Sequence, residues 1–389
     1  MFYKSIILSS IITLFSQPAF SEVVKLSVNS FDFSENTAYD LADDFSKNLS
    51  QINSKIMTII ENKFDNNPYV IAGAIFWSIK FNRANSAYFM HEMIHHAAGK
   101  KIGAQSFYFL NSNGEVISHW EAYKNLLIDG SVGGPAVSTN YKNPNVDYID
   151  MTVAGINYQT EFAKKWWFDI LSEETPTKYT YTHYLINKAH LALYAYTDHE
   201  RSDIYNNLPT TGDIMKYVSH LNKKYDSNIS EGDIFTSSLI TLLLSPGAWL
   251  LPRIEFDQFD NKHLYFDVNS SWKMSYDLNN FVNADAYTLN STIYLTKDFK
   301  NIYELGYEKS IYGESKDEFS IGYRYVGESS SLSSSLTSDR ENYFAQISYE
   351  NNLSEGVSLF ADLNYLQGDT WKSKRLTPSE ISLGVKVSF

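Results

Sequence analysis

Ile381-Ser382-Leu383-Gly384-Val385-Lys386-Val387-Ser388-Phe389 alternates apolar with small or polar residues without a break. Successive side chains of a strand point to opposite faces, so this segment has one wholly apolar face and one polar face. Moving back along the chain, the same beat recurs as Val357, Leu359, Ala361, Leu363 and Tyr365. It recurs again as Tyr343, Ala345, Ile347 and Tyr349, as Phe319, Ile321, Tyr323 and Tyr325, and as Tyr303, Leu305 and Tyr307. Segments of about ten residues, with turn residues between them and aromatics at their ends, are the marks of a transmembrane β-barrel. The pattern predicts an antiparallel barrel of about eight strands over residues 256–389. A soluble β-sandwich is the alternative that the same alternation allows.

Before about residue 255 the period is that of a helix. Leu41, Phe45, Leu49, Ile52, Ile56 and Ile60 recur at three- and four-residue steps, and Asn67-Pro68 ends the run. Helices are expected over about 69–81, 85–101, 149–171, 182–196, 211–224 and 235–244, the last closed by Ser245-Pro246-Gly247. Ser106 to Phe109 and Val116 to His119 flank Asn111-Ser112-Asn113-Gly114, which reads as a β-hairpin. Gly130, Gly133, Gly134, Pro135 and Pro144 make 129–145 a loop. The fold class expected is α+β in two domains, a mainly helical one over 22–255 and the barrel. No segment offers the roughly 20 uninterrupted apolar residues of a helical membrane span.

Residues 1–21 read as a secretory signal: Lys4, an apolar run from Ile6 to Phe15, then Ala19-Phe20-Ser21. With Phe389, which resembles the C-terminal signature of bacterial outer-membrane proteins, this predicts export and location in a cell outer membrane. Outer-membrane lipid and the barrel-insertion machinery would then be partners. The chain has no cysteine, so disulfides and thiolate metal ligands are excluded, and any transition metal must use His and carboxylate groups. The formal net charge of −13 and the lack of basic runs argue against nucleic acid as a partner.

The chemistry sits in His91-Glu92-Met93-Ile94-His95-His96. On a helix, His91 and His95 are one turn apart and project from one face, where both imidazoles reach one Zn2+. Glu92 lies beside them as the expected general base, taking a proton from water and passing it to a leaving amine. His96 is about 100° round the helix and out of register with that metal. His183, His190 and His199 are scattered on later helices and read as structural histidines. A third ligand is required. Glu161, Glu121 and Asp203 are candidates from the sequence, each also readable as a solvated charge.

The motif and the residues after it resemble the site-2-protease-like zinc peptidases. There the two histidines are followed by small residues and a glycine as the helix ends, here Ala97, Ala98 and Gly103. Ala154-Gly155-Ile156-Asn157, taken as the opening of a helix, is similar to that family's Gly-Pro-x-x-Asn element. Asn206-Asn207-Leu208-Pro209 through Gly212-Asp213 is similar to its Asn-x-x-Pro and Asp-Gly element. The resemblance implies Asp213 as third zinc ligand and Asn157 as an oxyanion or substrate-loop residue. Ile94 stands where the family usually has glycine, and Gly212-Asp213 reverses the family's Asp-Gly order.

Three functions are consistent with these expectations. One is an envelope zinc metallopeptidase acting on a polypeptide, with the barrel as anchor. Another is a zinc hydrolase acting on lipid or peptidoglycan. The third is a non-enzymatic outer-membrane barrel (a pore, adhesin or assembly factor) whose helical part is a periplasmic or plug domain holding a structural metal. A structural zinc is closed by four protein ligands, whereas a catalytic one keeps an open position.

Overall fold

The computed structural model describes residues 35–64, 67–101, 106–110, 115–118, 121, 124–125, 133–138, 149–172, 177–202, 212–249, 264–327, 329–339, 342–354, 357–367 and 380–387. The expected signal segment 1–21, the 206–211 stretch, Asp203 and Phe389 lie outside the described residues.

Helix α1 spans Glu35–Lys63 and α2 spans Pro68–Asn82. Between them, the Asn67 side chain accepts a hydrogen bond from Tyr69 N at 3.0 Å, and Pro68 takes the first helical position, where its missing N–H costs nothing. A π-helical segment, Arg83–Met90, then runs directly into α3, His91–Lys101. Strands β1 (Ser106–Leu110) and β2 (Val116–Ile117) pair antiparallel, as the hairpin reading expects.

The reading of 129–145 as a loop is corrected in part. Gly133–Ser138 is a strand, β3, antiparallel to β1. It lies at the edge of a three-stranded sheet of order β2-β1-β3, where Pro135 can sit opposite Phe109 without breaking a ladder on its outer side.

Four helices follow: α4 Ile149–Ser172, α5 Lys178–Ser202, α6 Asp213–Tyr225 and α7 Glu231–Leu244, with a single turn, α8, at Pro246–Trp249. Helix α7 opens on a reciprocal cap between Ser230 and Asp233. Helix α6 ends where Asp226 turns left-handed at φ 49°. Among the described residues no helix is long and apolar enough to cross a membrane.

The C-terminal part is one antiparallel meander. Its strands are β4 Phe266–Asp267, β5 Lys273–Val282, β6 Ala286–Thr296, β7 Asn301–Gly313, β8 Glu318–Val326, β9 Ser330–Ser338, β10 Tyr343–Ser354, β11 Val357–Gln367 and β12 Glu380–Val387. Each pairs with the next, giving eight long strands and the two-residue β4. Among the described residues no pairing joins β12 back to β4 or β5.

The registers sort side chains onto two faces of opposite character. Opposite Glu304 lie Tyr294 and Gly322, and opposite Gly306 lie Thr292 and Ser320. Asp277, Asn279, Asn290, Thr292 and Glu308 on this face are buried. The other face carries Leu305, Phe319, Ile321, Ile347, Leu359 and Leu363, all exposed. Polar inside and apolar outside inverts the usual distribution of a water-soluble sheet.

Helices α4 and α5 pack on the polar face, whereas α7 lies against the outward side of β5 and β6, near Leu278 and Leu289, with Tyr276 Oη donating to Leu244 O at 2.8 Å. Two apolar clusters join the halves of the chain. One packs Phe162, Trp166 and Trp167 of α4 and Tyr184 of α5 with Tyr294 and Ile302 of the sheet. The other packs Val153, Leu191, Ile214, Tyr217 and Ile234 with Val282 and Tyr287. Side chains of this size contribute about 1.5–3 kcal/mol each on full burial. Ion pairs reinforce the contact: Lys164 to Glu304 at 2.9 Å, Arg324 to Asp169 at 2.7 Å and Lys188 to Asp277 at 2.8 Å. Beside the C-terminal half of α4 the inner wall encloses a polar chamber of about 360 Å³, lined by residues including Lys165, Ser333, Glu350 and Asp362.

Candidate metal centre

Helix α3 begins at His91, so the π-helical segment delivers the motif directly onto an α-helical turn. His91 and His95 are buried. Their Nε2 atoms lie 2.9 Å apart, and Asp213 Oδ2 stands 3.5 Å from the first and 3.2 Å from the second. A tetrahedral zinc with bonds of about 2.0–2.1 Å would hold its ligands roughly 3.3 Å apart, so the spacing fits such an ion. Among the described residues these three form the one group able to hold a metal ion.

The tautomers favour the same outcome. His91 Nδ1 faces the Gln159 side-chain oxygen at 3.0 Å, and His95 Nδ1 faces the Met151 carbonyl at 2.6 Å. Gln159 in turn donates from its amide nitrogen to Ser86 O at 3.2 Å, which fixes its oxygen toward His91. Oxygen acceptors at both Nδ1 atoms put the ring protons there and turn the Nε2 lone pairs inward. Two lone pairs and a carboxylate at this spacing require a positive charge among them, either a shared proton or a metal ion.

Helix α4 supplies this support from one face. Met151, Gly155 and Gln159 are four residues apart and lie one above another. A Cβ at Gly155 would sit 2.7 Å from His95 Nε2 and 2.8 Å from His91 Nδ1, so only glycine lets the helix approach so closely. The reading of Gly155 as a helix opener is corrected: α4 starts at Ile149.

Asp213 is the first residue of α6, and its Oδ2 accepts a hydrogen bond from Tyr194 OH at 3.0 Å. The cap of this helix is tertiary. Asp198 Oδ2 accepts from Ile214 N at 3.1 Å and from Met215 N at 3.3 Å, and a Cβ on Gly212 would fall 2.1 Å from that carboxylate. The Gly212-Asp213 order thus has a local reason. Burial pushes the Asp213 carboxyl up, but the facing His95 and His91 overcome it and hold the group well below the usual carboxylate range. Glu92 is half-buried. Burial raises its carboxyl to about 7, against the pull of His91.

Asn157 is not brought to this group. Two residues past Gly155 it lies about 200° round the helix. Its side chain donates to Val282 O and accepts from Val282 N, each at 2.9 Å. It ties α4 to β5, which departs from the oxyanion role that the resemblance implies. Glu161 lines the polar chamber rather than the metal group, and Glu121 is exposed. His183 is buried and structural, 3.1 Å from Ser54 Oγ and 2.9 Å from Ser50 O. His199 is exposed.

His190, read from the sequence as a structural histidine, lies beside the group, and Tyr194 escapes the sequence reading. The His190 ring centroid is 5.3 Å from that of His91, and Tyr194 stacks on His91 at 5.6 Å. Burial and the neighbouring His91 hold His190 well below its ordinary value. The available signal was spacing: His190, Tyr194 and Asp198 recur every four residues on α5, the first two beside His91 and the third capping the helix that carries Asp213.

No protein-family model, no curated protein and no solved structure matches the chain.

Proposed function

We propose that the protein is a zinc metallopeptidase held in an outer membrane by its C-terminal sheet. The observation that carries the reading is the convergence of His91 Nε2, His95 Nε2 and Asp213 Oδ2, with both imidazoles fixed at Nδ1 and Glu92 beside them. Three protein ligands leave a fourth position open, as catalytic zinc sites do. When bound, zinc would supply a Lewis acid and lower the pKa of a water to about 7.

The chain's own groups then carry the protons. Glu92 accepts one from the attacking water as the water oxygen bonds to the peptide carbonyl carbon. When the C–N bond breaks, Glu92 returns that proton to the departing amine nitrogen. Tyr194 and Asp198 keep Asp213 in place through this cycle. The outward apolar face of the sheet supports contact with lipid hydrocarbon, and closure of the meander into a barrel would complete an anchor.

The test uses purified full-length protein in detergent. Wild type is expected to hold about one zinc per chain and to cleave casein. Glu92→Gln is expected to keep the zinc and to cleave at least about 100-fold more slowly. Absence of zinc from the wild type, or equal cleavage by both proteins, overturns the peptidase reading. Heat-modifiable migration on gels is expected for the folded protein, and its absence would count against a closed barrel.

A further inference from the structure

We propose that His190 is a further catalytic residue of this centre: its imidazole N–H donates a hydrogen bond to the peptide carbonyl oxygen as that oxygen takes up negative charge. The proposal rests on the peptidase reading and deepens it.

His190 is buried on α5, yet its Nε2 has no hydrogen-bond partner among the described residues. An unpaired buried nitrogen is costly, and such atoms in native structures call for a partner or a function. This one stands beside the metal group, its ring centroid 5.3 Å from His91. It is not itself in the ligand set. The donor atoms that lie within 4.8 Å of one another belong to His91, His95 and Asp213. A buried, unpartnered imidazole whose ring lies against His91 and Tyr194, yet outside the ligand set, is the group nearest to hand for something seated at the centre.

The neighbours on α5 hold it there. Tyr194, one turn on, stacks on His91 and donates to Asp213, and Asp198, two turns on, caps the helix that carries Asp213. His190 is therefore fixed by the same rigid stripe that fixes the third ligand. A preorganised donor of this kind stabilises charge that develops in the transition state more than the neutral ground state.

The experiment compares full-length wild type, His190→Ala and His190→Gln in detergent. Zinc affinity is measured by chelator competition, kcat and KM on casein, and binding of a phosphinic peptide, whose tetrahedral oxyanion mimics the reacting carbonyl. For His190→Ala we expect zinc affinity within about threefold of wild type, because outer-shell or ligand roles would cost about 10–100-fold. We expect kcat to fall about 10²–10³-fold with little change in KM, and phosphinic-peptide affinity to fall in parallel. His190→Gln, which keeps a donor near the same place, is expected to recover part of both.

Unchanged kcat and phosphinic-peptide binding in His190→Ala overturn the proposal, as does a matching loss in His190→Gln. A zinc affinity lowered by more than about tenfold makes His190 a ligand or its support instead. A wild type that binds zinc and the phosphinic peptide but cleaves nothing fails the peptidase reading alone, and the binding comparison still decides the role of His190. A wild type that neither cleaves nor binds the phosphinic peptide overturns both.

Discussion

At the scale of single residues the centre depends on absent atoms as much as on present ones. Gly155 leaves room for two imidazoles, and Gly155→Ala would press a methyl group within 2.7 Å of His95 Nε2. We predict a folded protein whose zinc affinity falls at least about tenfold, measured by chelator competition against wild type. His183 gives a second prediction, this time on stability. Its folded value is lowered to about 3 by burial, well under the ordinary 6.5. Below about 6.5 the unfolded chain takes up a proton that the folded chain refuses, so stability falls as pH drops from 6.5 toward 3. The slope from this residue is up to about 1.4 kcal/mol per pH unit. His183→Gln keeps a polar group near Ser54 and Ser50 without a titrating proton, so its acid unfolding curve should be shallower over that window. His91, Glu92 and His95 were legible because their geometry is set by one helical turn. Asp213 was one carboxylate among four, since its approach is decided by Asp198 and Tyr194, far away in sequence. Asn157 misled because its spacing from Gly155 fits a motif, while its direction around the helix does not.

At the scale of elements, helix α4 has two jobs on two faces. Met151, Gly155 and Gln159 serve the histidines, while Asn157, Lys164 and Asp169 tie the helix to the sheet. Helix α5 does the same, with His190 and Tyr194 toward the centre and Lys188 toward β5. The Lys188 ammonium is buried against Asp277, the Leu278 carbonyl and Asn279. Lys188→Met would strand the Asp277 charge, which keeps contacts from Asn279 and Tyr184. We predict a loss of about 3–5 kcal/mol in denaturant unfolding, with Lys188→Met/Asp277→Leu recovering much of it. Most helix limits could be read from periodicity and caps to within about four residues, but α5 runs to Ser202, past the expected end at 196, and the alternation named segments within β7, β8, β10, β11 and β12 without marking β5, β6 or β9. Strand β3 could not, because its Gly and Pro content signals a loop unless the edge position beside β1 is known.

At the scale of the whole molecule, the distribution of polar and apolar surface is the dominant fact. The outward positions of β7, β8, β10 and β11 expose Leu305, Ile321, Ile347 and Leu363, while buried carboxylates and amides line the opposite wall. If that outer band faces lipid, Ile321→Lys should cost about 2–4 kcal/mol near the middle of the bilayer and should reduce heat-modifiable folding. An unchanged folded fraction in lipid vesicles would remove Ile321 from a lipid contact. Alternation made this inversion visible in the sequence. The shared cores were not visible, because a change of period at residue 255 suggests a domain border, whereas Trp167, Tyr184 and Val153 reach across it to Tyr294, Ile302 and Val282.

Those shared cores set an order of events. The helix that seats the two histidines is anchored on β5 through Val282 and on β7 and β8 through Glu304 and Arg324. A growing chain makes His91 and His95 long before those strands exist. The packing of Ala154 and Tyr158 on Met93 and Ile94, and the Gln159 bond to Ser86, hold α4 against the imidazoles from the helical side alone. The strands add the second wall, so a chain that has made only its helices has half of the support of the finished centre.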